Sequence, residues 1–266
     1  MAAVGALGGF LSGLLGIGGA LVFIPVFTHY IGNANVGIES VPYLLANSFF
    51  IVFVAGLSAS FKQYKMKNLH PKQAFFVAIP ATIIALLVIK LIDIMISNGY
   101  EEIKIIFKFV FLSLLFFIVI QTFMSAKKTN YNLLAEEVKP HKFLFSGLFV
   151  GFFSGITGLG GGSIMLPIFH NFLKIKYTIS TSLSSTVIAL FTVPSLIYYA
   201  FLNPINIIYP AAQSGYICWP LVLPIVPFII IFSQLGVKYN HQFPVWLLKT
   251  IFAVIIIINI YKIIFL

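Results

Sequence analysis

The sequence predicts an all-α polytopic membrane protein built as two inverted repeats, each a glycine-broken re-entrant hairpin followed by three transmembrane helices. Three observations carry that reading. Of 266 residues, 60% are hydrophobic and 8% charged, where soluble domains run near half and a quarter. A glycine-rich run recurs in the two halves at a constant offset. The lysines sort to one side of a membrane best under one topology.

The composition also excludes whole classes of function. A mean hydropathy of +1.06 excludes a water-soluble globule and a disordered chain alike. At roughly 20 residues per crossing, the length allows seven or eight membrane segments and no soluble catalytic domain. The expectation is therefore a protein that is not an enzyme and needs no cofactor. The net charge of +10 comes from 16 lysines without one arginine. These lysines are scattered between spans, which fits positive-inside loops and not a nucleic-acid surface. The expected partners are the lipid bilayer and a small anionic substrate, held without a guanidinium fork. Cys218 is the sole cysteine, so neither an intramolecular disulfide nor a cysteine metal cluster is expected.

Taken in order, the chain opens on the apolar segment 2–30. It lacks a basic leader region, so it reads as a first membrane segment, not a cleaved signal. Full spans follow at about 43–61, 74–96 and 103–125. A polar linker, 127–142, carries Lys127, Lys128, Glu136, Glu137 and Lys139 and divides a first repeat, 1–126, from a second, 143–266. The second repeat opens on segment 143–171 and continues in spans at about 181–202, 215–235 and 243–265.

Segments 2–30 and 143–171 each hold a glycine cluster near the middle, and they match. Gly9-Phe10-Leu11-Ser12-Gly13-Leu14-Leu15-Gly16-Ile17-Gly18-Gly19 recurs as Gly151-Phe152-Phe153-Ser154-Gly155-Ile156-Thr157-Gly158-Leu159-Gly160-Gly161, and both runs lead to a proline, Pro25 and Pro167. Nine of nineteen aligned positions are identical at an offset of 142. A weaker echo sets Ala46-Asn47-Ser48 against Ser180-Thr181-Ser182.

If both segments turn back, Lys174, Lys176, Lys238 and Lys249 join the lysine-rich loop 62–73 and the linker on one side. That is the arrangement the positive-inside rule favours. Each half then crosses three times and inverts the next, a plan that secondary transporters share. At each tip, glycine supplies unusual dihedrals, and the helix restarting beyond it presents unpaired N–H groups to an anion. Gly-xx-Gly spacing is also common where membrane helices pack closely, and this reading stays open beside the first.

The paired Gly-x-x-Ser-Gly-x-x-Gly-x-Gly-Gly runs, each followed by a proline, resemble the sulfite exporter TauE/SafE family of bacterial permeases. So does the ending Gln234-Leu235-Gly236-Val237-Lys238-Tyr239 with Phe243-Pro244 and Leu247-Leu248-Lys249. The resemblance covers nearly the whole chain. It implies a multi-pass transporter of the bacterial inner membrane that exports small sulfur-containing anions such as sulfite or organosulfonates. A channel-like conduit for small anions is the alternative. Two departures stand out: Ala20 where the second run has Gly162, and Asn47 where a hydroxyl is expected.

The expected substrate-binding residues are the backbone of Gly18, Gly19, Gly160, Gly161 and Gly162 with the side chains of Ser12, Asn47, Ser48, Ser154, Ser163, Thr181 and Ser182. For each hydroxyl, a bond to a nearby carbonyl is the plainer role. Gln213 is a further polar candidate. Asp93 reads as a local ion pair with Lys90. His29 and His170 end the two hairpins at near-equivalent positions and are candidate pH sensors. Metal binding, covalent catalysis and a P-loop find no support in the motifs.

Overall fold

The computed structural model describes residues 1–32, 36–100, 102–125 and 133–265. Lys127 and Lys128 of the linker lie outside them. The chain is helical almost throughout: α1 (Ala2–Leu15), α2 (Ala20–Gly32), α3 (Ser40–Lys65), α4 (Pro71–Ser97), α5 (Ile103–Ser125), α6 (Pro140–Thr157), α7 (Gly162–Pro167), α8 (Tyr177–Phe201), α9 (Trp219–Val222), α10 (Val226–Asn240) and α11 (Val245–Phe265). Prolines start α4 and α6, where the missing N–H would have no partner anyway. Among the described residues, three helices are long and apolar enough to cross a membrane, over Gly37–Lys65, Pro71–Ser97 and Tyr177–Phe201.

The expected span at 215–235 is built differently. It opens as a two-residue hairpin, β1 (Gln213–Ser214) against β2 (Ile217–Cys218). A short α9 follows, and the long helix begins only at Val226 and runs on to Asn240. Local chemistry explains it. Gly215 turns the hairpin at φ 54°, where an added β-carbon would stand 2.1 Å from the Tyr199 carbonyl oxygen. Pro220, Pro224 and Pro227 cluster where a single helix would have had to start, and interior prolines break the hydrogen-bond ladder.

Two glycine stripes set the helix pairs. Gly5, Gly9 and Gly13 of α1 lie against Ile225, just ahead of α10, and Ile229 and Ser233 within it, and the residue numbers climb together, so the helices run parallel. Gly147, Gly151 and Gly155 of α6 lie against Val77, Ala81 and Ala85 of α4, again in parallel. The two stripes are offset by 142, as the motif is. Backbones approach closely enough that a β-carbon on Gly13 would stand 1.9 Å from the Ser233 carbonyl oxygen, the small-residue packing that membrane helices use. The motif thus divides its glycines: one set packs helices and the rest break the chain.

At the centre, α3 and α8 run antiparallel. Phe49 faces Phe191, Gly56 faces Ile188 and the Ser185 carbonyl, and Asn68 just beyond α3 donates to Thr178 O at 3.1 Å. Three connections meet at one end of the bundle. His70 bonds Glu136 at 2.8 Å, Lys176 N–H donates to Leu133 O at 3.0 Å, and Asn68 reaches α8. The exposed lysines 65, 67, 72, 174 and 176 gather there with the half-buried Lys62, so this is called the lysine-rich end. The opposite end holds Glu39, the Ile205–Asn206 segment and the β-hairpin.

Candidate functional site

The helical ladder stops at the same motif position in both halves. Gly16 and Gly158 take left-handed dihedrals (φ 67°, 66°) and cap α1 and α6, their N–H groups donating to Ser12 O and Ser154 O at 2.8 and 2.9 Å. Gly18 and Gly160 (φ 74°, 65°) and Gly19 and Gly161 (φ 75°, 69°) follow in step. Left-handed backbone at three of four positions needs glycine. The ladders then restart identically: Val22 and Phe23 donate to Gly19 O, and Ile164 and Met165 to Gly161 O. The N–H groups just ahead, on Ala20 and Leu21 and on Gly162 and Ser163, belong to a first helical turn and have no intrahelical partner.

The two breaks touch. A β-carbon on Gly162 would stand 2.6 Å from the Ile17 backbone and 2.8 Å from Gly16 O. Gly18 and Gly160 both press on Val52 of α3, and Gly18 also reaches Ile188 of α8. Each break is held by the central helix of the other half. Ser48 of α3 donates to Gly158 O at 2.7 Å, and Ser184 of α8 donates to Gly16 O at 2.5 Å. Leu45 lies under Gly158 as Thr181 lies under Gly16. The counterpart of Ser48 is therefore Ser184, two residues past the echo in the sequence, and α3 maps onto α8 at an offset of 136.

Most of the predicted residues gather here: Gly18, Gly160, Gly162, Ser48 and Thr181 around the contact, Gly19 against Gly8 and Phe23 and Gly161 against Val150 and Met165 within their own halves, with Ser12, Ser154 and Ser163 flanking the breaks. Ser154 and Ser163 are buried, and neither hydroxyl has a hydrogen-bond partner. Thr181 Oγ1 donates to Thr178 O at 2.9 Å and lies 3.4 Å from Asn240 Oδ1; Asn240 in turn donates to Leu14 O at 2.6 Å.

Asn47 and Ser182 lie away from the breaks, at opposite ends of the central pair. Asn47 clamps the β-hairpin: its amide donates to Tyr43 O and Tyr216 O, and its oxygen accepts from Cys218 N–H at 2.9 Å. Ser182 donates to Asn68 O and so clamps the loop before α4. Gln213 braces the same hairpin region through Tyr43 Oη and Tyr209 N–H. Asp93 accepts from Tyr198 Oη at 3.2 Å, across to α8, instead of pairing with Lys90 on its own helix. His29 is exposed beside Tyr30. His170 is buried in a π-helical turn, Ile168–Phe172, with Nδ1 2.8 Å from Ile175 O. The two histidines occupy unlike surroundings.

Sequence reasoning passed over Ser184, Val52 and Glu39. Glu39 is buried at 2% exposure. It accepts from Ile205 N–H at 2.8 Å, Asn206 N–H at 2.7 Å and Tyr216 Oη at 2.9 Å. Together with Tyr43, which donates to Asn206 O at 2.7 Å, it ties down the end opposite the lysines. A lone acid among apolar neighbours was the only hint.

A family model described as sulfite exporter TauE/SafE matches residues 1–263. A probable membrane transporter protein of Methanocaldococcus jannaschii is 28% identical over 246 residues, covering 90% of this chain and 85% of that one. A probable membrane transporter protein of Haemophilus influenzae is 28% identical over 259 residues, covering 96% and 93%. The Bacillus subtilis probable membrane transporter protein YunE is 22% identical over 268 residues, covering 96% and 93%. No solved structure matches the chain.

Proposed function

From the chain's place in the sulfite exporter TauE/SafE family, to which it belongs, we propose that this membrane transporter is a secondary permease exporting a small sulfur-containing anion, sulfite or an organosulfonate, across the bacterial inner membrane. In this reading the repeats, 1–126 and 143–266, are inverted and each opens on a re-entrant hairpin. Their antiparallel central helices and the swapped serine bonds, Ser48 to Gly158 and Ser184 to Gly16, support it. So does the meeting of loop 66–70, the linker and residues 173–176 at one end.

The anion is bound where the two breaks meet. The observation that carries this is the pair of buried, unpartnered hydroxyls of Ser154 and Ser163 beside the second break. A buried polar atom without a partner costs about 1–3 kcal/mol, and an oxyanion would satisfy both. First-turn N–H groups would supply the remaining donors, so no arginine is required. Gly162 lies directly against the Ile17 backbone where the breaks meet, a contact that favours rocking of the halves in alternating access over a standing conduit.

Proteoliposomes loaded with the purified protein test this by uptake of radiolabelled sulfite, with sulfate, taurine and chloride as competitors. Saturable flux that taurine or excess sulfite suppresses is the expected result. Well-folded protein without saturable flux of any of these anions overturns the assignment, and flux that never saturates returns the conduit.

A further inference from the structure

The central α3–α8 pair is symmetric in its contacts with the breaks but not in its lining. Toward the Glu39 end it is filled with rings. Phe49 lies edge-on to Phe191 at 6.5 Å and stacks on Tyr199 at 6.3 Å. Tyr199 meets Tyr216 at 6.3 Å, and Tyr216 meets Tyr43 at 4.9 Å. The shift of 136 that relates Ser48 to Ser184 relates Phe49 to Ser185, Ala55 to Phe191 and Gln63 to Tyr199. Toward the lysine-rich end, small and polar groups therefore stand where the other end has rings.

One face of α3 carries Phe49, Val52, Gly56, Ser60 and Gln63 at helical spacing. Phe49 and Gly56 meet α8 directly, so Ser60 and Gln63 continue the same seam. Both are buried, at 8% and 1% exposure, and neither Ser60 Oγ nor Gln63 Nε2 has a partner. The Gln63 oxygen accepts from Asn68 Nδ2 at 3.0 Å, which fixes the amide so that its NH2 group is the unused end. Buried polar atoms of this kind call for a partner. Here the missing partner is a hydrogen-bond acceptor, because what remains on offer is an amide donor and a hydroxyl. The lysines around this end set up a positive potential that raises the local concentration of anions.

We propose that Ser60 and Gln63 form a second station for a small oxyanion, between the glycine breaks and the lysine-rich end, on the water-connected half of the pathway. This rests on the transporter reading above. The ring-filled half is the sealed one in this conformation.

The test is thiol accessibility in the full chain. In a Cys218→Ala background, Ser60→Cys, Gln63→Cys, Phe191→Cys and the loop marker Lys174→Cys are introduced singly. Oriented membrane vesicles are treated from either face with a charged, membrane-impermeant thiol reagent. Ser60→Cys and Gln63→Cys should react from the same face as Lys174→Cys, and Phe191→Cys about tenfold more slowly or not at all, as expected of a position exposed only by transient opening. Sulfite or taurine should slow the reaction of Ser60→Cys. No reaction at Ser60→Cys in a monodisperse protein, or reaction from the other face only, overturns the proposal. Labelling that none of sulfite, sulfate, taurine or chloride slows also overturns it. Labelling reads access, whereas liposome flux reads cargo, so the two proposals fail separately. Should Gln63→Cys not fold, the near-isosteric Ser60→Cys carries the test alone.

Discussion

The two glycine breaks share a backbone and differ in almost everything attached to it. Three left-handed glycines, one cap and one restart pattern recur at an offset of 142. Beyond the break they diverge. The first leads into an unbroken 13-residue α2 that contains Pro25. The second leads into a six-residue α7 that passes into a π-helical turn immediately after Pro167. The first break is followed by Ala20 and Leu21, the second by Gly162 and Ser163. A left-handed break of this kind constrains the glycines alone; the neighbouring positions were free to specialise. The second break took the closer backbone approach and the unanswered hydroxyls, so binding weight is expected to fall there.

The largest expected effect comes from exchanging the residues where the breaks differ. Gly162 is not left-handed, so strain is not its reason to be glycine. Its reason is the Ile17 backbone, 2.6 Å from where a β-carbon would stand. Backbone cannot give way as a side chain can, and overpacking of this kind costs about 1–3 kcal/mol. Gly162→Ala should push the breaks apart, lower the melting temperature and abolish most sulfite flux. Ala20→Gly, the reciprocal change, should cost no more than about 1 kcal/mol, the ordinary helix penalty of glycine, and keep flux. Equal losses in both variants, read by flux and thermal unfolding, would break the comparison.

A smaller effect separates binding from stability. Ser154 is buried and its hydroxyl has no hydrogen-bond partner. Ser154→Ala should leave the melting temperature unchanged or slightly raised, since it removes an unsatisfied group. It should raise the KM for sulfite by about tenfold, the equivalent of one hydrogen bond to an anion. Ser163→Ala should behave alike. Rising KM together with falling stability would instead mark Ser154 as a structural hydroxyl.

Much of this was legible in the sequence, for identifiable reasons. The breaks were legible because left-handed backbone admits almost only glycine, and the duplication doubled the signal. The division of labour inside the motif was not, since Gly9 and Gly16 are the same letter and only the packing of α1 on α10 tells them apart. The hydroxyls of α8 were visible as a polar run, yet Ser184 and Ser182 could not be ranked without knowing which one faces Gly16. Asn47 read as a ligand because a buried amide must bond to something. That two of its partners are backbone groups of the β-hairpin depends on a fold-back of about 170 residues, which no local pattern encodes.

The smallest expected effect concerns how the chain beyond the second break is moored. It pairs with the linker through Lys176 N–H and Leu133 O, and the linker is fastened to the loop before α4 by Glu136 and His70 at 2.8 Å. Partial burial raises the Glu136 carboxyl, but its own backbone N–H and the His70 ring outweigh that, and the group titrates below the ordinary carboxylate range. A lowered folded-state value means stabilisation that is complete above the unfolded carboxylate range and is lost as the pH falls through the folded value. Glu136 is 58% exposed, so solvent screening holds the contribution under about 1 kcal/mol. Glu136→Gln should therefore lower the melting temperature by a small margin at pH 7. That margin should close as the pH drops through the acid range, where the wild-type carboxyl is also neutral. A margin that persists unchanged at low pH would mean that the side chain moors the linker by shape and neutral hydrogen bonding, and that this mooring owes nothing to charge.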